Sequence, residues 1–149
     1  DPQVLRSIIT RCCQLKADVV AQDEREETGL RAVLNYGHTF CHAFESVTGY
    51  SQLLHGEAVA IGMLCASRLA EKVGRIDHEL TKRQEALLAS LGLPTQVPDV
   101  DFDEVVAAMQ RDKKVIHGSL RFVLPSRLGR VELVDSIPPA LARDALQQC

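Results

Sequence analysis

Tryptophan is absent from this 149-residue chain, and aromatic residues make up only 4% of it. A core with so few aromatic residues has to be built from leucine, valine, isoleucine and alanine, which favours packed helices over a β-sandwich. No apolar run reaches about 18 residues, so we expect no membrane span. The formal net charge is -3, which gives no overall positive field to attract nucleic acid.

The cysteine pattern lacks any CxxC pair, and the total of five is odd. Two of the five, Cys12 and Cys13, are adjacent within a helical pattern. We interpret all five as reduced thiols, as is typical of a cytoplasmic protein, and expect no zinc held by cysteine. The opening residues 1–4 show no basic stretch followed by an apolar one. They are therefore interpreted as a start inside a longer protein rather than a secretory signal, with Asp1 capping the first helix.

Helical periodicity covers most of the chain. The predicted helices run over residues 2–21, 29–47, 55–73, 77–91 and 102–111, with a last helix opened by the proline pair at 138–139. Alternation in Leu120–Leu124 and Arg130–Val134, on either side of a turn over 125–129, predicts one hairpin. The predicted fold class is mainly α: a helical bundle with one small β-hairpin near the C-terminus, forming a single domain over residues 1–149.

Two local features refine this prediction. The helix that starts near His55 has almost no polar face before Arg68, so we expect it to be buried in the centre of the domain. The acidic stretch Asp23–Glu27 is interpreted as a solvated turn, after which Thr28 is positioned to cap the next helix.

Three of the five histidines, His38, His42 and His55, fall within 18 residues beside the most apolar helix. His38 and His42 are four residues apart, so on one helix they project from the same face, and antiparallel packing of the next helix would return His55 to their level. Burying several imidazoles is costly unless they have partners, and imidazole suits zinc. The spacing alone leaves two interpretations open: a metal site, most simply with His38 and His42 as ligands, or histidines that are ordinary satisfied polar groups.

Three sequence blocks resemble the dehydroquinate synthase family. They are Glu27–Glu45 with its Gly-His-Thr-Phe-Cys-His-Ala core at 37–43, Leu54–Met63, and Arg111–Lys114 followed by Gly118 and Arg121–Leu124. The blocks occur in the family's order and span most of the chain, which is therefore similar to the C-terminal, metal-binding half of such an enzyme. One departure is Cys41, which stands where the family usually has glycine.

The resemblance implies a zinc or cobalt ion held by His38 and His55, with a glutamate ligand from a segment that precedes this chain. It also implies that His42 lines the site and handles substrate or protons instead of binding the metal. The nearby side chains that we do not expect to act as ligands are Cys41, Glu45 and Glu57.

The resemblance further assigns polar residues to the substrate. Arg31 and Asn35 precede the first histidine of the cluster by 7 and 3 residues, so a continuous helix would place them on neighbouring turns of one face. The family pattern makes them contacts to the substrate carboxylate and hydroxyls, with Lys16 reaching the same site. The family pattern also implies that Lys113 or Lys114 binds phosphate. Only one of the two is expected to face the site, because adjacent residues on a helix point about 100° apart. Without the motif, these charged residues would be interpreted as solvated surface.

The family is a set of lyases that convert 3-deoxy-D-arabino-heptulosonate 7-phosphate to 3-dehydroquinate and phosphate, in the shikimate pathway to aromatic amino acids. The resemblance implies a transient NAD-dependent oxidation of the substrate before phosphate leaves. NAD is carried by an N-terminal α/β domain in this family, and this chain has neither GxGxxG nor alternating strands and helices. We therefore expect the chain by itself to be inactive, and the complete protein to be a cytoplasmic homodimer with that second domain.

Alternatives remain open at this point. The first is another sugar-phosphate cyclase, such as a 2-epi-5-epi-valiolone or 2-deoxy-scyllo-inosose synthase, which shares the histidine scaffold. A polyol dehydrogenase of the glycerol dehydrogenase type shares the two-histidine arrangement but lacks the third block. A non-catalytic helical interaction module is the alternative from a different functional class.

Overall fold

The computed structural model describes residues 1–25, 27–111 and 120–149. Two compact units can be distinguished, Asp1–Leu34 and Asn35–Cys149. In chain order the elements are α1 Pro2–Gln22, a 3-10 helix Leu30–Asn35, α2 His38–Val47, α3 His55–Lys72, α4 His78–Ser90, α5 Phe102–Arg111, β1 Leu120–Arg127, β2 Arg130–Ile137 and α6 Pro139–Leu146. The predicted fold class, helical with one hairpin near the C-terminus, is confirmed, whereas the single-domain organisation stays a prediction.

The first unit is dominated by α1. Asp1 caps this helix as predicted, because its carboxylate accepts a hydrogen bond from the Gln3 backbone N–H at 2.7 Å, and Pro2 lies in the first turn. The helix buries none of its residues. Its apolar stripe is 48–58% exposed at Val4, Leu5, Ile8, Ile9 and Leu15. The stripe is therefore a large apolar face on the surface of α1.

Asp23 makes the hydrogen bonds that organise the turn after α1. The acidic stretch Asp23–Glu27 was predicted to be a solvated turn, and this prediction is wrong for Asp23. The Asp23 side chain is buried, and its carboxylate accepts hydrogen bonds from the backbone N–H groups of Thr28 and Arg31, each at 3.0 Å. These bonds, that from Arg31 first, hold the pKa of Asp23 below its usual range. Thr28 in turn accepts a hydrogen bond from the Leu30 N–H at 3.3 Å, in agreement with its predicted capping role.

The helix predicted over residues 29–47 is interrupted, and that prediction is wrong in its first half. Residues 30–35 form a 3-10 helix, and α2 begins only at His38, after Gly37 with φ of +81°. Glycine reaches this left-handed region without the steric cost that a Cβ atom brings. The helical periodicity expected to align Arg31 and Asn35 with His38 therefore does not hold.

The core of the second unit is arranged around α3, as its apolar sequence predicts. Ten of its residues are buried, and it packs against α2, α4, α6 and β1. Phe40 of α2 and Phe122 of β1 also pack in this core, with ring centroids 5.2 Å apart, within the range of favourable aromatic pairs.

Nowhere in residues 1–25, 27–111 and 120–149 does a helix combine the length and apolar character required to cross a bilayer.

The hairpin is longer than its sequence pattern indicates. Antiparallel pairs run from Leu120 with Ile137 to Arg127 with Arg130, so most of the predicted turn over 125–129 is strand. Pro125 pairs with Val131 inside β1. Proline is compatible with this position because each strand of a two-stranded sheet has an open edge, where a missing N–H costs no ladder hydrogen bond.

A close backbone contact between Gly37 and Gly62 sets the position of α2 on α3. A Cβ atom on Gly62 would collide with the Gly37 carbonyl oxygen and would lie 3.1 Å from the Cys41 backbone nitrogen. A Cβ atom on Gly37 would lie 2.6 Å from the Met63 backbone nitrogen. Neither backbone can yield as a flexible side chain would, so both positions require glycine for the two helices to meet at this distance.

Tyr36, just before this contact, ties α3 to α4 through a buried polar network. Its hydroxyl lies 2.7 Å from Ser67 Oγ, 2.9 Å from Gln84 Oε1 and 3.2 Å from the Met63 carbonyl oxygen. Ser67 is fully buried, and burial raises the pKa of Tyr36. The network gives Ser67 Oγ on α3 and Gln84 Oε1 on α4 hydrogen-bond partners within the apolar interior.

We predict that Gly62→Ala lowers the free energy of unfolding by about 1–3 kcal/mol, the usual cost of forcing extra atoms into a packed site. Gly56→Ala is the matched control on the same helix, since a Cβ there meets no atom within 4 Å. The control should be neutral or should stabilise by up to about 1 kcal/mol through helix propensity. Urea denaturation followed by circular dichroism measures both, and equal effects of the two variants would contradict the proposed close contact.

We also predict that Tyr36→Phe lowers the free energy of unfolding by about 1–2 kcal/mol, because the buried partners of the hydroxyl lose a hydrogen bond. Tyr50→Phe serves as the control, as Tyr50 is 73% exposed and its change should stay within about 0.5 kcal/mol. The same denaturation measurement applies. A Tyr36→Phe variant as stable as the Tyr50→Phe variant would show that the network contributes nothing measurable.

Candidate functional site

Three imidazole rings come together where α2 and α3 begin. The ring centroid of His38, the first residue of α2, lies 5.6 Å from that of His42 and 5.6 Å from that of His55, the first residue of α3. His38 and His55 are 17 residues apart in sequence, so it is the packing of the two helices that brings them together. His38 and His42 are half-buried, whereas His55 is exposed.

Glu45 is the closest polar partner of His55. Its Oε1 atom lies 2.8 Å from His55 Nδ1, and the Glu45 side chain is only 11% exposed while that of His55 is 60% exposed. Cys41, one turn earlier on α2, places its Sγ atom 3.7 Å from the same nitrogen. The α2 helix therefore presents a carboxylate and a thiol to one edge of the His55 ring.

Cys41, Glu45 and His55 form a group that could hold a metal ion, with one potential ligand atom from each lying within 4.8 Å of the others. The thiol is the weak member of this group. Burial first, and the nearby Glu45 carboxylate second, raise the pKa of Cys41 to about 12. Because metals bind the thiolate, this environment opposes metal binding by Cys41 at neutral pH.

Two further contacts of the cluster involve backbone groups. His38 Nδ1 lies 3.2 Å from the Tyr36 carbonyl oxygen. The Glu57 carboxylate accepts a hydrogen bond from the Leu54 backbone N–H at 2.8 Å, which satisfies one of the open donors at the start of α3. Glu57 thus supports the helix on which His55 stands.

A cavity of about 500 Å³ opens beside His42. His42 and Glu45 form part of its wall, and Arg111 at the end of α5 contributes a guanidinium group. The other lining residues are Thr39, Ala43, Ser46, Tyr50, Ala108 and Met109. A volume of this size suits a small polar metabolite, to which the wall offers an imidazole, a carboxylate and a guanidinium group.

The other residues predicted for the site lie elsewhere in the sequence. Lys16 and Arg31 belong to the Asp1–Leu34 unit, where the Arg31 guanidinium donates to the Glu24 carbonyl oxygen at 3.1 Å. Asn35 is exposed at the end of the 3-10 helix. Lys113 and Lys114 lie outside the described residues. The roles of these five side chains stay predictions.

The contact between Glu45 and His55 was not predicted from the sequence, although the spacing of Glu45 from His38 and His42 already pointed to the same helix face. Glu45 follows His38 by seven residues and His42 by three, which places all three on one face of a helix. Its short contact with His55 depends on the packing of α2 against α3, which sequence spacing does not reveal. Arg111 was noted only as part of a motif, and its place on the cavity wall comes from the structure.

The sequence of this chain is similar to those of known proteins. A profile of the 3-dehydroquinate synthase C-terminal family matches residues 1–115. Similar proteins include the 3-dehydroquinate synthases of Nostoc punctiforme, 52% identical over 147 residues and 98% of this chain, and of Rhodopirellula baltica, 48% identical over 149 residues and 100% of this chain. The chain spans about 40% of the length of each of these relatives.

Solved structures show the same fold. A 2-deoxy-scyllo-inosose synthase complexed with carbaglucose-6-phosphate, NAD+ and Co2+ aligns with a TM-score of 0.85 at 23% identity, over 99% of this chain and 43% of its own. A 2-epi-5-epi-valiolone synthase from Streptomyces hygroscopicus subsp. jinggangensis with NAD+ and Zn2+ bound aligns with a TM-score of 0.79 at 27% identity, over 95% of this chain and 39% of its own.

The profile match covers residues 1–115 of 149 and includes both histidine motifs. The resemblance seen in the sequence blocks is thereby confirmed, and the chain belongs to the 3-dehydroquinate synthase C-terminal family.

Proposed function

We propose that this chain supplies the metal- and substrate-binding half of a 3-dehydroquinate synthase. The complete protein would convert 3-deoxy-D-arabino-heptulosonate 7-phosphate to 3-dehydroquinate and phosphate, in the shikimate pathway. The observation that carries the proposal is the 5.6 Å separation of the His38 and His55 rings. In a member of this family, two imidazoles from different helices at that separation support a shared divalent ion.

The two rings fit a zinc or cobalt ion. With Zn–N bonds of about 2.0–2.1 Å, each ring centre lies roughly 3 Å from the ion, and a tetrahedral angle then separates the two centres by about 5 Å. The observed 5.6 Å is close to this value. His38 and His55 would hold the ion together with a glutamate from outside this chain, as the family resemblance implies. When bound, such an ion acidifies a coordinated hydroxyl and polarises a carbonyl.

The metals bound by related cyclases support this choice of ion. The valiolone synthase carries Zn2+ and the inosose synthase carries Co2+. The Cys41, Glu45 and His55 group would offer a different metal position, on the Nδ1 side of the His55 ring. We favour the position between His38 and His55, because it needs no deprotonation of the buried Cys41 thiol.

His42 is proposed to handle protons beside the metal. It is half-buried, lies next to His38 and lines the cavity. An imidazole can both donate and accept a proton near neutral pH, which suits transfer at a substrate hydroxyl or carbonyl. Arg111 on the same wall would help to hold an anionic substrate.

The remaining substrate contacts are carried over from the family resemblance. Arg31 would bind the carboxylate through its planar guanidinium, Asn35 would bind hydroxyl groups, and Lys16 would reach the same site. One of Lys113 and Lys114 would neutralise the phosphate. In this arrangement the protein residues orient the substrate and balance its charge.

The cofactor and the rest of the protein belong to the proposal as well. Both solved relatives contain NAD+, and this chain spans only about 40% of its curated relatives. We propose that NAD binds mainly to an N-terminal domain, where it supplies hydride transfer, and that the exposed apolar stripe of α1 packs against other parts of the complete protein. A cytoplasmic homodimer is the proposed assembly.

A second candidate is another sugar-phosphate cyclase, because the two solved relatives catalyse reactions of that group. Their identities of 23% and 27% are well below the 52% shared with a 3-dehydroquinate synthase. A non-catalytic helical module, the third possibility, would not need converging imidazoles and is less consistent with the structure.

We predict that the complete protein releases phosphate from 3-deoxy-D-arabino-heptulosonate 7-phosphate in the presence of NAD and a divalent metal. Phosphate release is followed by a colorimetric assay and the product by mass spectrometry. A hexose 6-phosphate, chosen by analogy with the carbaglucose-6-phosphate of the inosose synthase complex, is the comparison substrate. Turnover of that substrate alone would favour the second candidate, and turnover of neither with loaded metal would favour the helical module.

We predict that His38→Ala and His55→Ala each weaken zinc binding by more than about 100-fold, because changes in residues that merely support a ligand already cost about 10–100-fold. His78→Ala is the matched control, as His78 is also an exposed histidine near the start of a helix. Competition with a chromophoric chelator measures affinity, and circular dichroism verifies folding. Wild-type affinity in either cluster variant would refute the metal assignment.

We predict that Cys41→Ser does not change the near-ultraviolet spectrum of the cobalt-loaded protein. A thiolate-to-cobalt charge-transfer band requires a cysteine ligand, and Cys41 is not expected to be one. The spectrum is recorded on the cobalt-loaded protein in a Cys12→Ser, Cys13→Ser background, which removes the exposed thiols. A near-ultraviolet thiolate-to-cobalt band that disappears with Cys41→Ser would instead place the ion at the Cys41, Glu45 and His55 group.

A further inference from the structure

We propose that Glu45 is a positioning residue that fixes the His55 ring in the tautomer with its proton on Nδ1 and its lone pair on Nε2. The proposal rests on the metal-binding role proposed above for His55. It adds a residue that acts on the metal through its ligand, and it names the atom through which His55 would bind. Glu45 itself would not touch the ion.

The contact between the two side chains carries the argument. Glu45 Oε1 lies 2.8 Å from His55 Nδ1, a short hydrogen bond of the charge-assisted kind. An ionised carboxylate only accepts hydrogen bonds, so the nitrogen that faces it has to carry the proton. In a neutral imidazole the other nitrogen, Nε2, then carries the lone pair that a metal needs.

The difference in burial between Glu45 and His55 indicates that Glu45 restrains the orientation of His55. The Glu45 side chain is 11% exposed, so its position is restrained by the protein around α2, while the His55 side chain is 60% exposed. An exposed imidazole at the start of a helix would otherwise sample several rotamers and both tautomers. A carboxylate anchored beneath it limits both.

Cys41 does not compete for this role. Its Sγ atom lies 3.7 Å from His55 Nδ1 and 4.0 Å from the His55 carbonyl oxygen. Sulfur is a weak hydrogen-bond partner in either direction. The Glu45 carboxylate, at 2.8 Å, is therefore the main hydrogen-bond partner of His55 Nδ1.

His38 shows the same arrangement with a backbone partner. Its Nδ1 atom lies 3.2 Å from the Tyr36 carbonyl oxygen, and a carbonyl oxygen only accepts hydrogen bonds. Both contacts therefore favour the Nδ1–H tautomer, in two rings whose centroids lie 5.6 Å apart. Metal-binding histidines typically have their second nitrogen held by a carboxylate or a backbone carbonyl, and the two rings show one case of each.

The chain contains a natural comparison for this pair. Glu71 Oε2 lies 3.1 Å from His78 Nδ1, with side-chain exposures of 20% and 56% for the two residues. The chemistry matches that of Glu45 and His55. Among the ring contacts found in the described residues, however, none involves His78. Glu71 therefore controls for the general effect of removing a carboxylate from an exposed histidine.

The first measurement reads the tautomer directly and needs neither metal nor activity. The complete protein, labelled with nitrogen-15 in histidine and stripped of metal, is studied by long-range proton–nitrogen NMR at a mildly alkaline pH at which free imidazole is neutral. Wild-type His55 should show the Nδ1–H pattern. Glu45→Ala should shift His55 toward a mixture with the Nε2–H form, and Glu45→Gln should fall between them, because an amide oxygen accepts without a charge.

The second measurement is zinc affinity by competition with a chelator. Glu45→Ala should bind zinc about 10–100-fold more weakly, the usual effect of removing a partner of a metal-binding histidine. Glu45→Gln should recover part of this loss, and Glu71→Gln should match the wild type. Circular dichroism checks folding, and if Glu45→Ala does not fold, the nearly isosteric Glu45→Gln carries both tests.

Three results would overturn the proposal. The first is a wild-type His55 in the Nε2–H form. The second is a Glu45→Ala variant with unchanged tautomer and unchanged zinc affinity. The third is a Glu45→Ala variant that loses affinity while His55 keeps its tautomer, since Glu45 would then act as a ligand or as a purely structural residue. If the wild-type protein binds no zinc at all, the proposed function fails, while the NMR measurement still decides the role of Glu45.

Discussion

The close approach of two backbones at Gly37 and Gly62 is the constraint on which the site depends. His38 follows Gly37 directly, and His55 stands at the first residue of the helix that contains Gly62. The separation of the two rings is therefore set by how tightly α2 packs on α3. A side chain at either glycine would push the helices apart and would move one imidazole away from the other.

The cluster also shows a gradient of burial that suits a metal site at the edge of a bundle. Cys41 is fully buried, Glu45 is almost buried, and the His55 ring is largely exposed. The carboxylate thus lies beneath the imidazole, on the protein side, while the imidazole faces solvent. A restrained acceptor beside the exposed His55 ring allows the ring to be oriented in advance of metal binding, which reduces the entropy lost when a ligand set assembles.

The chain is shorter than the curated relatives that it matches. It spans about 40% of its curated relatives, and its first helix exposes an apolar stripe along Val4, Leu5, Ile8 and Leu15. The proposed zinc site likewise takes only two ligands from the described residues. These features are mutually consistent if the site is completed by other parts of a longer protein, as in a cleft between two domains.

Much of the local structure, and the family, could be predicted from the amino-acid sequence alone. Helix α3 follows from its apolar residues, α1 from its cap and period, and the family from the histidine motifs around 37–43 and 54–63, because each depends on neighbours in the chain. The break of the predicted 29–47 helix before His38, the extension of β1 through Pro125 and the contact of Glu45 with His55 depend on tertiary packing. Each of these depends on which distant backbone or side chain lies opposite, and spacing along the chain carries no information on that distance.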